Sequence, residues 1–181
     1  MRKTSKHNMA YDFAYSFANT LVNKIIIPEV GGLDIIIVGS LRRKKDTVND
    51  IDLLAFGISP ENDSNIDEPP EYGQRIADVF KMSYDDVDIF AVGNSKVRAS
   101  LNGVQIDMNI FYDPLLWGSQ MLHHTGSAQN NILMRKEAIK RGFSLSQNGL
   151  VNRETKKLVA SETEEAIFKA LEMDFILVED R

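Results

Sequence analysis

The chain has 181 residues, 43% hydrophobic and 26% charged, with no cysteine. That composition describes a folded globular protein rather than a disordered one, and it excludes disulfides, thiolate zinc sites and a cysteine nucleophile. No apolar run approaches the ~20 residues of a membrane span. The basic N-terminus lacks the apolar core of a signal peptide, so a cytoplasmic protein with no membrane partner is expected. The net charge of -5 is unevenly spread. Residues 1–45 carry eight Lys/Arg against three acids and 46–113 four against fourteen, while 114–157 carry seven against two and 158–181 two against seven. An acidic middle between basic segments fits a metal-binding centre flanked by phosphate-contacting arms; it also fits uneven surface charge.

In chain order, the spacing of apolar residues in "YDFAYSFANTLVNKII" predicts a helix over about 9–25. "LDIIIVG" reads as a buried strand. Ser40 is placed to cap a short helix through "LRRKK". "NDIDLLAFGI" is the next strand. "SPENDSNIDEPPEYG", rich in Pro, Ser and acids, is an exposed loop, and "YGQRIADVFKM" a helix. "VDIFAVG" and "KVRASLNG" form a hairpin turning near Gly93-Asn94. "VQIDMNIFYD" alternates cleanly, with Gln105, Asp107 and Asn109 on one face and Val104, Ile106, Met108 and Ile110 on the other. Pro114 opens a helix through "LLWGSQMLH". A second helix follows from Ser127 as cap to Gly142 as stop. Along it Asn131, Arg135, Ala138 and Gly142 share one face, and Ile132, Ile139 and Phe143 form an inward apolar stripe. "FSLSQNGLVN" is a hairpin with an Asn-Gly turn. A last helix begins at a capping box of Ser161 and Glu164.

The stretch "VGSLRRKKDTVNDIDLL" carries the chemistry. Asp50 and Asp52 stand two apart on a strand, so both carboxylates leave the same face. They repel unless one is protonated or a cation lies between them. A hard divalent ion with oxygen ligands, Mg²⁺ or Mn²⁺, removes the conflict. If the strand of Asp107 lies alongside, three carboxylates converge and can hold two ions ~4 Å apart, the arrangement that activates an attacking oxygen and stabilises a leaving phosphate. Gly39 allows a phosphate close to the backbone, Ser40 offers donors and Arg43 a bidentate contact. Asp86 and Asp88 repeat the spacing without a Gly-Ser turn and read as a solvated strand edge. The bland reading of Asp50 and Asp52 is likewise a solvated strand end.

"VGSLRRKKDTVNDIDLL" resembles the palm signature of family X DNA polymerases, within the nucleotidyltransferases. "VQIDMNIF" is similar to the family's third-carboxylate strand. "HHTGSAQNNILMRKEAIKRGFSLSQNGL" resembles the start of its thumb, with a T-G-S turn and helix, and "EEAIFKALEMDFILVEDR" its closing segment. The resemblance implies an α+β fold: a palm over 1–115 with a mixed β-sheet flanked by helices, and a small α/β thumb over 116–181, without fingers or lyase domain, as in the small viral members. It implies a DNA-directed DNA polymerase that extends a primer 3′ end from dNTP in gapped or primed DNA, in repair, as a monomer. Its place would be the cytoplasm or a viral replication compartment.

Asp50, Asp52 and Asp107 would bind two Mg²⁺, with Mn²⁺ able to substitute. Gly39, Ser40, Arg43, His123, Gly126 and Asn131 would contact the nucleotide. Arg135, Lys136, Lys140 and Arg141, with Lys44 and Lys45, would contact DNA. The chain departs from the family in having His123-His124 where an aromatic pair precedes T-G-S, and Gln105 where an arginine stands two before the third carboxylate. The second departure predicts a weakened hold on Asp107. Phe175 and Val178 replace a tyrosine and a proline. Two rivals remain: a template-independent or small-molecule nucleotidyltransferase, and a non-catalytic, antitoxin-type binding module.

Overall fold

A computed structural model describes residues 8–57 and 71–181. Most of the expected acidic loop, 58–70, lies outside the described residues. The described residues up to Ile37, with Lys44–Tyr112, form one compact unit, and Val38–Arg43 with Asp113–Arg181 form the other. The Gly-Ser turn therefore groups with the C-terminal residues, whereas the sequence pattern assigns it to the palm.

In the first unit, β1 (Met9–Ala10) pairs antiparallel with β3 (Thr47–Val48), Met9 opposite Val48. Helix α1 covers Tyr11–Thr20, a wide π-type stretch covers Leu21–Ile26, and α2 covers Ile27–Val30. The single helix expected over 9–25 thus yields its first residues to a strand pair and extends further at its end. The wide stretch lies just ahead of Pro28, whose ring cannot donate a hydrogen bond and crowds the carbonyl four residues back. A locally opened helix accommodates that clash.

The main sheet holds β2 (Leu33–Ile37), β4 (Ile51–Gly57), β7 (Val104–Phe111), β6 (Lys96–Leu101) and β5 (Val87–Gly93), in that spatial order. Only β4 and β7 run parallel; the other pairs are antiparallel, so the sheet is mixed, as expected. Alternation sends Ile51, Leu53, Ala55, Ile106 and Met108 into the core, all fully buried. Helix α4 (Tyr72–Ser83) packs on β5 and β6 and buries Ile76 and Phe80. Each such side chain contributes about 1.5–3 kcal/mol. The opposite sheet face keeps the half-buried residues Asp52, Gln105, Asp107 and Asn109.

The second unit starts with α3 (Gly39–Arg42), then continues through a 3₁₀ turn at Pro114–Leu116, α5 (Trp117–Thr125) and α6 (Ala128–Lys140). A three-stranded antiparallel sheet of β8 (Phe143–Ser146), β9 (Gly149–Asn152) and β10 (Leu158–Ala160) and helix α7 (Glu164–Ala170) complete it. Leu122, Met134, Ala138, Leu150, Ala160, Ile167, Phe168 and Leu171 form its core. A Cβ on Gly118 would stand 2.2 Å from Thr163 backbone, so glycine sets the close approach of α5 to the start of α7.

Several local expectations are corrected here. Helix α6 buries Asn130, Met134 and Ala138; Ile132 and Ile139 are exposed, and only Phe143 of the supposed stripe packs on the core. Ala138 is fully buried and belongs to that inward face rather than to the face of Arg135. The β8–β9 turn residues are Gln147 and Asn148, and Gly149 opens β9 at φ +101°. Helix α7 is capped by Thr163, whose hydroxyl accepts from Ala166 N–H. Ser161 instead donates to Leu115 O at 2.6 Å, and Glu164 serves an ion pair described below.

Candidate functional site

In the first unit, parallel pairing of β4 with β7 puts Asp52 opposite Asp107 in register. Asp50 immediately precedes β4 rather than lying within it. On the other side of β7, Arg98 of β6 is the register partner of Asp107. Arg98 Nε donates to Asp107 Oδ1, its Nη2 reaches Oδ2 at 3.3 Å, and Gln105 Nε2 reaches the same oxygen at 3.2 Å. The expected weak hold on Asp107 is thus corrected: the cation comes from the neighbouring strand, and Gln105 adds a neutral donor. Among the described residues no three His, Asp or Glu side chains are gathered closely enough to hold a metal ion. Asp88 lies exposed on the edge strand β5, as expected of the second acid pair.

In the second unit, Gly39 has φ +64° and opens α3, which lasts a single turn. Its cap position is Val38, with no side-chain cap bond, so Ser40 sits inside the turn rather than capping it. Arg43, expected on phosphate, donates to Thr125 O. Arg42 Nη1 reaches Thr125 Oγ1 at 2.5 Å, and its two nitrogens grip Glu164 at 3.0 and 2.7 Å. Arg181 Nη1 meets the same carboxylate at 2.5 Å. Burial alone would raise the Glu164 carboxyl, but hydrogen bonds and charge from Arg42 and Arg181 hold it below the usual range. Arg181 also packs against the rings of Phe168 and Phe175, at 5.5 and 5.1 Å from their centroids.

Gly126 ends α5 at φ +65°, a conformation that favours glycine, and its bond to Ser127 is cis. A Cβ there would lie 3.3 Å from Arg43 Nη1. Ser127 caps α6 as predicted, accepting from Asn130 N–H. Asn131 Nδ2 donates to His123 O at 2.8 Å. His123, Asn131 and Arg135 line one small cavity with Ser119, Leu122, Leu145 and Ser146. Burial, then the positive charge of Arg135, holds the His123 imidazole below its ordinary pKa. His123 and His124 meet edge to face at 4.9 Å. Arg135 and Lys136 are exposed, whereas Glu137 bridges Lys140 at 2.6 Å and Arg141 at 2.7 Å. In the first unit, Lys44 and Lys45 are exposed.

Residues 120–181 match the family described as DNA polymerase beta thumb. The polymerase beta of Leishmania infantum, solved as a ternary P/T complex, matches 98% of this chain and 78% of its own, with TM-score 0.78 and 19% identity. The C-terminal third thus carries a polymerase beta-type thumb, and the chain as a whole has a polymerase beta-like fold. No curated protein matches it in sequence.

In this polymerase beta-like fold Asp52 and Asp107 lie on β4 and β7, Asp50 stands just before β4, and the matched segment carries the T-G-S turn and α6. The donor set suits Mg²⁺ or Mn²⁺, because carboxylate oxygens on adjacent strands are hard ligands. To hold such an ion, Asp107 would have to give up its bonds to Arg98. Two residues were missed from sequence. Arg98 was legible in principle: Asn102-Gly103 is a hairpin turn signal, and counting outwards from it pairs Leu101 with Val104 and then Arg98 with Asp107. Glu164 was read as a cap, and no local signal announces partners as distant in sequence as Arg42.

Proposed function

We propose that the protein is a DNA-directed DNA polymerase that fills gaps by adding deoxynucleotides to a primer 3′ end. The observation that carries this reading is the in-register pairing of Asp52 with Asp107 on parallel strands, in a chain with a polymerase beta thumb. Asp50, Asp52 and Asp107 would hold two divalent ions, which when bound neutralise phosphate charge and acidify the primer hydroxyl. Asp107, released from Arg98, would accept the 3′-hydroxyl proton on a carboxylate oxygen. Gly39, Ser40 and Arg43 would receive the triphosphate, with Arg43 leaving Thr125 O to do so. His123 and Asn131 would flank the nucleotide. Arg135, Lys136, Lys140 and Arg141, with Lys44 and Lys45, would contact DNA phosphates as a monomer binds. The relative solved as a P/T complex supports a DNA substrate.

Primer extension on a gapped duplex with Mg²⁺ or Mn²⁺ tests this. Incorporation directed by the template base is expected, and untemplated addition would favour the template-independent rival. The Arg98–Asp107 pair favours a second reading, a binding module in which an arginine permanently replaces the metal; metal-dependent incorporation would exclude it.

A further inference from the structure

Asp107 is held more completely than a waiting metal ligand needs to be. Two nitrogens of Arg98 and one of Gln105 engage its two oxygens. Across the parallel pair it faces Asp52, the residue with which it would share an ion. Arginine stays charged at any working pH, so it cannot make room by losing a proton; it can only move. The Arg98 side chain is 42% exposed against 15% for Asp107, so the guanidinium has water to move into while the carboxylate does not.

We propose that Arg98 is a displaceable occupant of the third carboxylate. It neutralises and orients Asp107 while no divalent ion is bound, and the ion must compete with it for the Asp107 oxygens. This rests on the metal-dependent reading above. In this role Arg98 is a positioning residue that sets the ion concentration at which Asp107 becomes available. Gln105, being neutral, can keep its bond to one oxygen while the ion takes the other. A charge-assisted hydrogen bond corresponds to a factor of about ten or more in competition, so the pair raises the concentration of ion required by roughly that factor.

The test is Mn²⁺ binding to the full chain without DNA or dNTP, followed by electron paramagnetic resonance. Arg98→Met is expected to bind Mn²⁺ about tenfold more tightly, and Arg98→Lys, with a single point donor, to fall between. Lys96→Met is the control for charge: it removes a cation from the same strand, opposite Asn109 rather than Asp107, and should change affinity by no more than about threefold. The effect of Arg98→Met should vanish in an Asp107→Asn background. If Arg98→Met binds no more tightly than Lys96→Met, the proposal is overturned while the polymerase reading stands. If neither the parent nor Arg98→Met binds Mn²⁺ at millimolar concentration, both fall. A second measurement does not depend on the fold of the Met variant. In the parent, the Arg98 Nε–H resonance, assigned by its absence in Arg98→Lys, should shift on Mg²⁺ addition; an unchanged resonance at saturation would overturn the displacement.

Discussion

Removing the Glu164 carboxylate should be among the most damaging single changes in the second unit. Glu164 is 7% exposed and accepts three hydrogen bonds from two arginines. The Arg181 side chain is fully buried, and its Nη2 has no acceptor. Glu164→Ala would leave that guanidinium with only the Ile176 carbonyl and the two aromatic rings. Deleting one partner of a buried ion pair costs about 3–5 kcal/mol, a large part of the ~5–15 kcal/mol typical of a domain. Arg42 is less exposed to this loss, because 22% of its side chain reaches solvent and Thr125 Oγ1 remains as a partner. Arg181→Met should cost less than Glu164→Ala, since Glu164 keeps Arg42. The double variant Glu164→Leu/Arg181→Met should recover much of the loss, because a well-packed apolar pair can match a buried ionic one. Urea unfolding followed by the fluorescence of Trp117, the only tryptophan and a residue of this unit, measures all three. The pH dependence has a defined sign. The folded carboxyl is shifted down, so its stabilisation is present above the ordinary glutamate pKa and is lost as pH falls through the lower folded value. A cost below about 1 kcal/mol for Glu164→Ala, or a double variant no more stable than Glu164→Ala, would refute the reasoning.

Asp107→Ala should abolish metal-dependent incorporation while the circular dichroism spectrum is kept, whereas Asp86→Ala should leave the rate nearly unchanged; single-turnover primer extension compares them. His123 should titrate below the ordinary histidine value in a proton NMR series. Arg135→Gln should move it up only part of the way, because burial is the larger cause, and stability should fall as pH drops below ~6.5, where the unfolded chain takes up the proton first. Replacing Lys140 and Arg141 together by Ala should weaken DNA binding about equally for all sequences and flatten the dependence of log K on log salt, by up to roughly 0.9 per lost phosphate contact. The change should be smaller than for two unpaired cations, because Glu137 already neutralises part of their charge. Anisotropy across a salt series reads it.

Local pattern carried the elements well where one face decides. The alternation in "VQIDMNIF" became β7 with Ile106 and Met108 buried and Asp107 on the opposite face. The Ser127 cap and Gly142 stop of α6 likewise followed from residue chemistry. Pattern failed where a choice between faces is made at long range. Helix α6 has apolar residues all round, and the packing of β8 and β9 selects Met134 and Ala138 over Ile132 and Ile139. Ser161 and Glu164 have the spacing of a capping box, but two arginines bind a carboxylate more strongly than one backbone N–H does. The cap accordingly passed to Thr163.

The run of four cations at 42–45 shows the same limit within neighbouring residues. Sequence alone treats Arg42 and Arg43 as one basic cluster and assigns phosphate to the second. In the folded unit both guanidiniums converge on Thr125, one on its hydroxyl and the other on its carbonyl, while Arg42 is further committed to Glu164. Thr125 is the first residue of the T-G-S turn, and both arginines follow the Gly-Ser turn. Two motifs separated by about eighty residues are therefore tied through a single threonine. Arg42 supplies a fixed strut, because leaving would strand the buried Glu164 carboxylate with Arg181 alone. Arg43 donates to a backbone carbonyl, which under the proposed reading it would leave for the more strongly charged triphosphate. In the proposed reading Arg42 is the arginine kept within the protein by Glu164, and Arg43 is the one that would turn to the triphosphate.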